Sequence, residues 1–126
     1  MSIAAAQASK FYEQAVLEGR VFTFTNAEEY LVFLIRDQDV VPFWSSRSRL
    51  ESIRKIHPKY TNYSITEVPL SEFLQETLPL LESEGIHIGV NWSGKGLTGY
   101  DVSVHDLRRN LGYWIEKQEK MANQAL

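Results

Sequence analysis

With 126 residues, 44% of them hydrophobic and 12% aromatic, the chain has the length of a single domain, residues 1–126, and an ordinary globular composition. It holds no cysteine, which excludes disulfides, thiolate nucleophiles and cysteine-based zinc sites together. A formal net charge of −3 argues against a nucleic-acid binder that neutralises phosphates over a broad face.

No apolar run approaches the roughly 20 residues that a membrane-spanning helix requires. The N-terminus, M-S-I-A-A-A, lacks the basic region of a signal peptide, so a cytoplasmic protein without a membrane partner is expected. Charge is unevenly spread. Pro42 to Tyr60 carries five basic residues (Arg47, Arg49, Arg54, Lys55, Lys59) against Glu51, whereas Glu67 to Glu84 holds five acids and no Lys or Arg. Either these segments face each other or the surface is two-toned.

Taken in order, Ser2 can cap a helix reaching Glu18, with Ile3, Ala8, Phe11, Tyr12 and Ala15 as its buried stripe and Gly19 ending it. Arg20 to Thr25, R-V-F-T-F-T, is dense in β-branched and aromatic residues and reads as the first strand. The next piece is ambiguous: Asn26 with Glu29 resembles a helix capping box, yet Tyr30 to Ile35, Y-L-V-F-L-I, is an apolar run of strand length. A strand is favoured, with Arg36 to Asp39 turning into a further strand at Val40 to Trp44.

Ser45 and Ser46 offer caps to a helix through Leu50, Ile53 and Ile56, which must stop near His57 because Pro58 disfavours helical geometry in the residue before it. Asn62 to Val68 is another strand. Ser71 starts a helix whose Phe73, Leu74, Thr77, Leu78 and Leu81 recur at helical spacing, and Pro79 either kinks it or begins a second short helix ending at Gly85. Ile86, Ile88, Val90 and Trp92 share one side of an extended chain, and Tyr100, Val102 and Val104 repeat that period of two. Trp92 is therefore expected in the core, on the face of Ile88 and Val90. Five of the seven glycines lie between Gly85 and Gly99, where turning or close approach demands residues without a Cβ. Ser103 and Asp106 cap a last helix with Leu107, Leu111, Trp114 and Ile115 buried, its apolar pattern fading beyond Lys117. The expected architecture is α+β: one mixed sheet of about five strands, helices packed on it, and helices at both termini.

Several blocks carry a resemblance: Pro42 to Arg49 (P-F-W-S-S-R-S-R), Glu72-Phe73 with Leu78-Pro79 and Leu81, and Gly89 to Gly94 (G-V-N-W-S-G) followed by Thr98 to Asp101 (T-G-Y-D). In order and spacing, from about Phe11 to Leu107, they resemble a bacterial family known as domain of unknown function 2750. The departure lies at Ala27 to Phe33, where many members have a shorter, glycine-containing stretch. The resemblance implies one compact domain of bacterial origin and nothing about activity, since the family has none established.

Candidate chemistry is sparse. Gly89 to Lys95 matches the first seven places of the phosphate loop G-x-x-x-x-G-K-[ST], but Gly96 supplies no hydroxyl and a strand follows in place of the required helix. His57, His87 and His105 share no ligand spacing, so no metal is expected. Neither Ser45 nor Ser93 sits in a nucleophile elbow, and Glu72, Glu76, Glu82 and Glu84 read as a solvated helix face. No cofactor is expected, and the balance leans away from an enzyme.

What remains is a pair of Trp-Ser segments, each at the end of a strand. If those strands are parallel neighbours, Trp44, Ser45, Arg47 and Arg49 meet Asn91, Trp92, Ser93 and Lys95 at one sheet edge, where ligand crevices of such sheets lie. Two uses are open for it: contact with another macromolecule, a protein foremost, or a crevice for a small anionic ligand held by arginines and helix N-terminal amides. Against both stands the plainer expectation that the tryptophans plug the core and the serines cap.

Overall fold

The computed structural model describes residues 2–124. The first helix, α1 (Ile3–Glu18), is closed as its sequence predicts: Ser2 Oγ accepts from the Ala5 amide at 3.1 Å, and Gly19, at φ 72°, donates to the Ala15 carbonyl. Ala8, Phe11, Tyr12 and Ala15 are buried, but Ile3 is 76% exposed. At 3.6 residues per turn, five residues separate Ile3 from Ala8 by about 140° around the axis, which takes Ile3 off the buried stripe.

Next come β1 (Arg20–Asn26), β2 (Glu29–Tyr30), β3 (Phe33–Ile35) and β4 (Gln38–Phe43). The expected strand from Tyr30 to Ile35 is broken in two at Leu31 and Val32, because its halves serve different partners. Tyr30 pairs with Thr25 of β1, whereas Phe33 pairs with Val40 of β4. The expected turn at residues 36–39 contracts to Arg36 and Asp37. Both hairpins turn on two residues of positive φ, the signature of a type I′ loop, and neither uses glycine: Ala27 and Glu28 stand at 51° and 69°, Arg36 and Asp37 at 50° and 66°.

With β5 (Ser64–Pro69), β6 (His87–Ser93) and β7 (Thr98–Val102), the strands form two sheets, β2-β1-β5 and β3-β4-β6-β7. The α+β class holds and both ends are helical, α5 (Val104–Gln124) closing the chain, but the single sheet of about five strands does not. The sheets meet at one bridge, where Phe22 and Trp44 exchange backbone hydrogen bonds of 2.8 Å. Sequence pattern along each strand is blind to such a corner, which exists only once the chain is folded. Strands β4 and β6 run parallel, from Val40 opposite His87 to Phe43 opposite Val90. Pro42 is tolerated inside β4 because its carbonyl faces Thr23 Oγ1, at 2.7 Å; the N–H it lacks lies on that side and not in the ladder to β6.

Strands β1, β4 and β6 separate two apolar clusters, so they bury both faces. Val21, Val41, Phe43, Ile88 and Val90 pack with the buried stripe of α1 and with Leu107 and Leu111 of α5. Phe22, Phe24, Val40, Trp44 and Trp92 pack on the other side with Leu50 and Ile53 of α2 (Arg47–Ile56) and with Tyr60 of a 3₁₀ turn (Pro58–Asn62). His57 ends α2 outside helical geometry, at φ −126° and ψ 82°, as the following proline demands. Ile56, in the last turn, is 48% exposed.

A second helical stretch joins β5 to β6: α3 (Leu70–Glu72), a π-helical turn (Phe73–Thr77) and α4 (Leu78–Ser83). Its irregularity follows from Pro79. The Leu78 amide reaches back five residues to the Phe73 carbonyl, and the next amide in that register, which would serve Leu74, is the one proline lacks. Arg108 of α5 fills the gap, donating from Nη1 to the Leu74 carbonyl at 3.1 Å.

Two substitutions test this account. Arg108→Met keeps the stem but orphans the Leu74 carbonyl, and should lower stability by about 1 to 3 kcal/mol in chemical denaturation. Glu28→Gly removes a left-handed strain and should raise stability by about 0.5 to 1 kcal/mol.

Candidate functional site

The parallel pairing of β4 and β6 does bring the two Trp-Ser segments together. The Trp44 indole Nε1 donates to the Trp92 carbonyl at 2.8 Å, and the Ser45 amide donates to Asn91 Oδ1 at 2.9 Å. Asn91 Nδ2 donates both to Ser45 Oγ, at 3.0 Å, and to the Gln7 carbonyl of α1, at 3.1 Å. Ser45 Oγ in turn donates to Gln14 Oε1 at 2.7 Å, its shorter contact than the 3.3 Å to Asn91 Oδ1. Trp44, Ser45, Asn91 and Trp92 are all buried. This edge is thus a closed polar lock between α1, β4 and β6, with its donors and acceptors already used.

The charged members of the expected edge lie outside the lock. Arg49 is half-buried and donates to Gln7 Oε1 at 2.6 Å; burial pulls its pKa below the usual arginine value. Arg47 is exposed and reaches Glu51 at 3.5 Å, one helical turn on. Ser93 is half-buried and Lys95 exposed in the loop after β6. Outside the lock there is a shallow hollow of about 230 Å³ between Gln14, Arg20, Ser45, Ser46 and Arg47, where Arg20 is tied to Glu67 at 3.2 Å. Among the described residues no ion pair joins the basic segment of residues 42–60 to the acidic one of residues 67–84, so the surface is two-toned.

Trp92 is buried, at 3% exposure, but on the face opposite to Ile88 and Val90. The reason is Asn91. Its backbone stands at φ 50° within a bulge between Val90 and Ser93, which inserts one residue into the alternation and turns the indole over. The ring then lies across Gly89 and Gly99: a Cβ on either would stand 2.5 Å or 2.6 Å from it. Trp92 Nε1 donates to the Tyr100 carbonyl at 2.9 Å, and the Phe33 ring meets the indole edge-on at 5.3 Å. Two of the clustered glycines thus make room for a side chain.

Beyond the indole this face of the four-stranded sheet opens into a cleft of about 610 Å³, within the range of small-molecule sites. Gln38, His87 and Asp101, from β4, β6 and β7, share it with the Ile35-Arg36 end of the β3–β4 hairpin, and Leu97 and Thr98 stand on the other side. His87 Nδ1 lies 3.5 Å from Asp101 Oδ2, both side chains about one-third exposed. Gln38 Nε2 is held by the Gly85 carbonyl at 2.7 Å. Arg36, among the described residues, has no acidic partner within 4 Å. Of the six non-glycine residues at positive φ among the described residues, Arg36 and Leu97 line this cleft, Asp37 follows Arg36, and Asn91 turns the tryptophan at its inner end. Such strain persists where surrounding structure over-determines the backbone, a frequent property of binding sites.

The sequence offered little sign of this cleft, since Gln38, His87 and Asp101 are far apart in the chain and form no motif. Of the eight expected edge residues, Trp92 alone lines it. Among the described residues no group of three His, Cys, Asp or Glu could hold a metal ion, and no helix is long and apolar enough to cross a membrane. The profile of DUF2750, a family described as proteins of unknown function, matches residues 8–111, which hold both Trp-Ser segments and every residue of the cleft. The chain belongs to the DUF2750 family. No curated protein and no solved structure matches it. For this DUF2750 chain the placement of Trp92 makes a direct prediction. Gly89→Ala and Gly99→Ala should each lose about 1 to 3 kcal/mol from overpacking, and Trp92→Ala about 3 to 5, as read from denaturation midpoints.

Proposed function

We propose that this domain binds a small anionic molecule in the cleft beside Trp92. The observation that carries the reading is an arginine without an acidic partner, Arg36, on the wall of a cleft of about 610 Å³ that also presents His87 and the Thr98 hydroxyl. Guanidinium and imidazole are the side chains suited to a carboxylate or phosphate, and Asp101 orients the imidazole as carboxylates commonly do. Ile35, Leu97 and the Trp92 edge supply the apolar wall that a ligand body needs.

Binding is favoured over catalysis, because no hydroxyl lies within hydrogen-bond reach of the His87 ring among the described residues. A protein partner at the Trp-Ser edge would have to work with Arg47 and Lys95, since both indoles are buried there and cannot serve as aromatic anchors.

A thermal-shift screen with phosphate, sulfate, benzoate and small dicarboxylates tests the proposal. Ligand at 100 times its dissociation constant stabilises by roughly 2.7 kcal/mol, enough for a clear rise in midpoint. The rise should vanish in Arg36→Ala and fall in His87→Ala, and persist in Arg47→Ala. A shift that follows Arg47 instead moves the ligand to the sheet edge, and the absence of a shift with all four probe classes counts against an anion site.

A further inference from the structure

Helix α5 spans Val104–Gln124, yet its last buried side chain is Leu111. From Gly112 to Gln124 none of its residues is buried. Trp114 rests partly buried on the edge of the core cluster, but beyond Ile115 every residue of the helix is exposed, and an isolated helix of the length from Gly112 to Gln124 is marginal in water. Its sequence continues the seam that docks the first half. Val104, Leu107 and Leu111 are followed by Trp114, Gln118 and Met121, in alternating steps of three and four residues. Met121 is 57% exposed and Leu17, facing it from α1, 63%.

Helices α1 and α5 lie side by side and ascend together: Tyr12 bonds Asn110 at 3.1 Å, and further along Val16 and Leu17 share one groove with Trp114 and Met121. Between them runs an apolar groove of about 330 Å³ with Glu13 on the α1 rim and Lys117 on the α5 rim, the Lys117 ammonium lying 4.6 Å above the Trp114 ring. We propose that a second copy of this chain occupies the groove. A two-fold axis along the groove sets α1 of each protomer on α5 of the other, which buries both apolar floors. Because the helices are parallel, height along them is preserved: in the Tyr12–Asn110 register Lys117 stands about six residues, roughly 9 Å, above Glu13, an axial offset close to that of flanking charge pairs in parallel coiled coils, so Glu13 of each protomer can reach Lys117 of the other. Opposite charges on the two rims are what an isologous pairing uses; like charges on both would repel it. The Lys10–Glu13 contact of 3.4 Å on α1 is exposed and competes weakly.

Sedimentation velocity of the full chain over roughly 1 to 100 µM decides the matter, since the dimer fraction must rise with concentration. Met121→Lys should be monomeric throughout. Glu13→Lys and Lys117→Glu should each weaken the dimer about tenfold, and the double reversal Glu13→Lys/Lys117→Glu should return it to within about threefold of wild type. Far-ultraviolet circular dichroism confirms that each variant is folded. A wild-type chain that stays monomeric over this range overturns the proposal, as does a double reversal no better than the single ones. A wild-type dimer that Met121→Lys leaves intact assigns the interface elsewhere and overturns it equally.

Discussion

One backbone torsion, that of Asn91 at φ 50°, decides which side of the sheet the largest side chain of β6 occupies. Left-handed geometry costs a non-glycine residue on the order of 1 kcal/mol, and asparagine least among them. The side chain offsets that cost by accepting from the Ser45 amide and donating to Ser45 Oγ and to the Gln7 carbonyl. From it follow the bulge, the inverted Trp92, the bare positions at Gly89 and Gly99 beneath the ring, and the place where the cleft begins. A residue of the same size without both donor and acceptor, leucine for example, would lose the torsion's compensation and leave the buried Ser45 amide unpaired.

This is also where period-two reasoning fails. Alternation assigns Ile88 and Val90 to one cluster correctly and assumes that it continues to Trp92, but nothing in the run I-H-I-G-V-N-W says that one residue is skipped. A signal was present in the glycines. Gly89 and Gly99 fall on the same face as His87 and Asp101, and bare positions diagonal to each other on neighbouring strands imply a bulky group lying over them. The meeting of the Trp-Ser segments stayed conditional on a parallel pairing that no local signal announces, whereas the helix ends at Gly19 and His57 and the Ser103 cap were readable because each depends on local chemistry. The division into two sheets and the assembly of the cleft were not, since they depend on which strands neighbour which.

The same distinction explains why the conspicuous residues are structural and the quiet ones line the open space. Tryptophans flanked by serines draw attention in a sequence, yet here their indole N–H groups are spent on carbonyls, that of Trp44 on Trp92 and that of Trp92 on Tyr100, and a group with all its hydrogen bonds made has nothing to offer a ligand. Arg36 and His87 belong to no motif. A strained hairpin and a bulged strand hold them at the rim of the sheet, Arg36 without an acidic partner among the described residues and His87 beside Asp101, while the tryptophan fills the space behind.

The bond from Trp44 to the Trp92 carbonyl spans 48 residues, and that from Ser45 to Asn91 spans 46. During synthesis the chain emerges from its N-terminus, so β4 leaves the ribosome with its parallel neighbour unmade and the Trp44 indole and Ser45 amide unpartnered. Helix α2, strand β5 and the proline-bearing helical stretch must all be translated before β6 supplies the missing groups. Both apolar clusters draw on β6, through Ile88 and Val90 on one side and Trp92 on the other, so neither can close first and shelter the other. The domain is therefore committed to folding as one unit late in its own translation, with non-local contacts of the kind that slow the search for the native state.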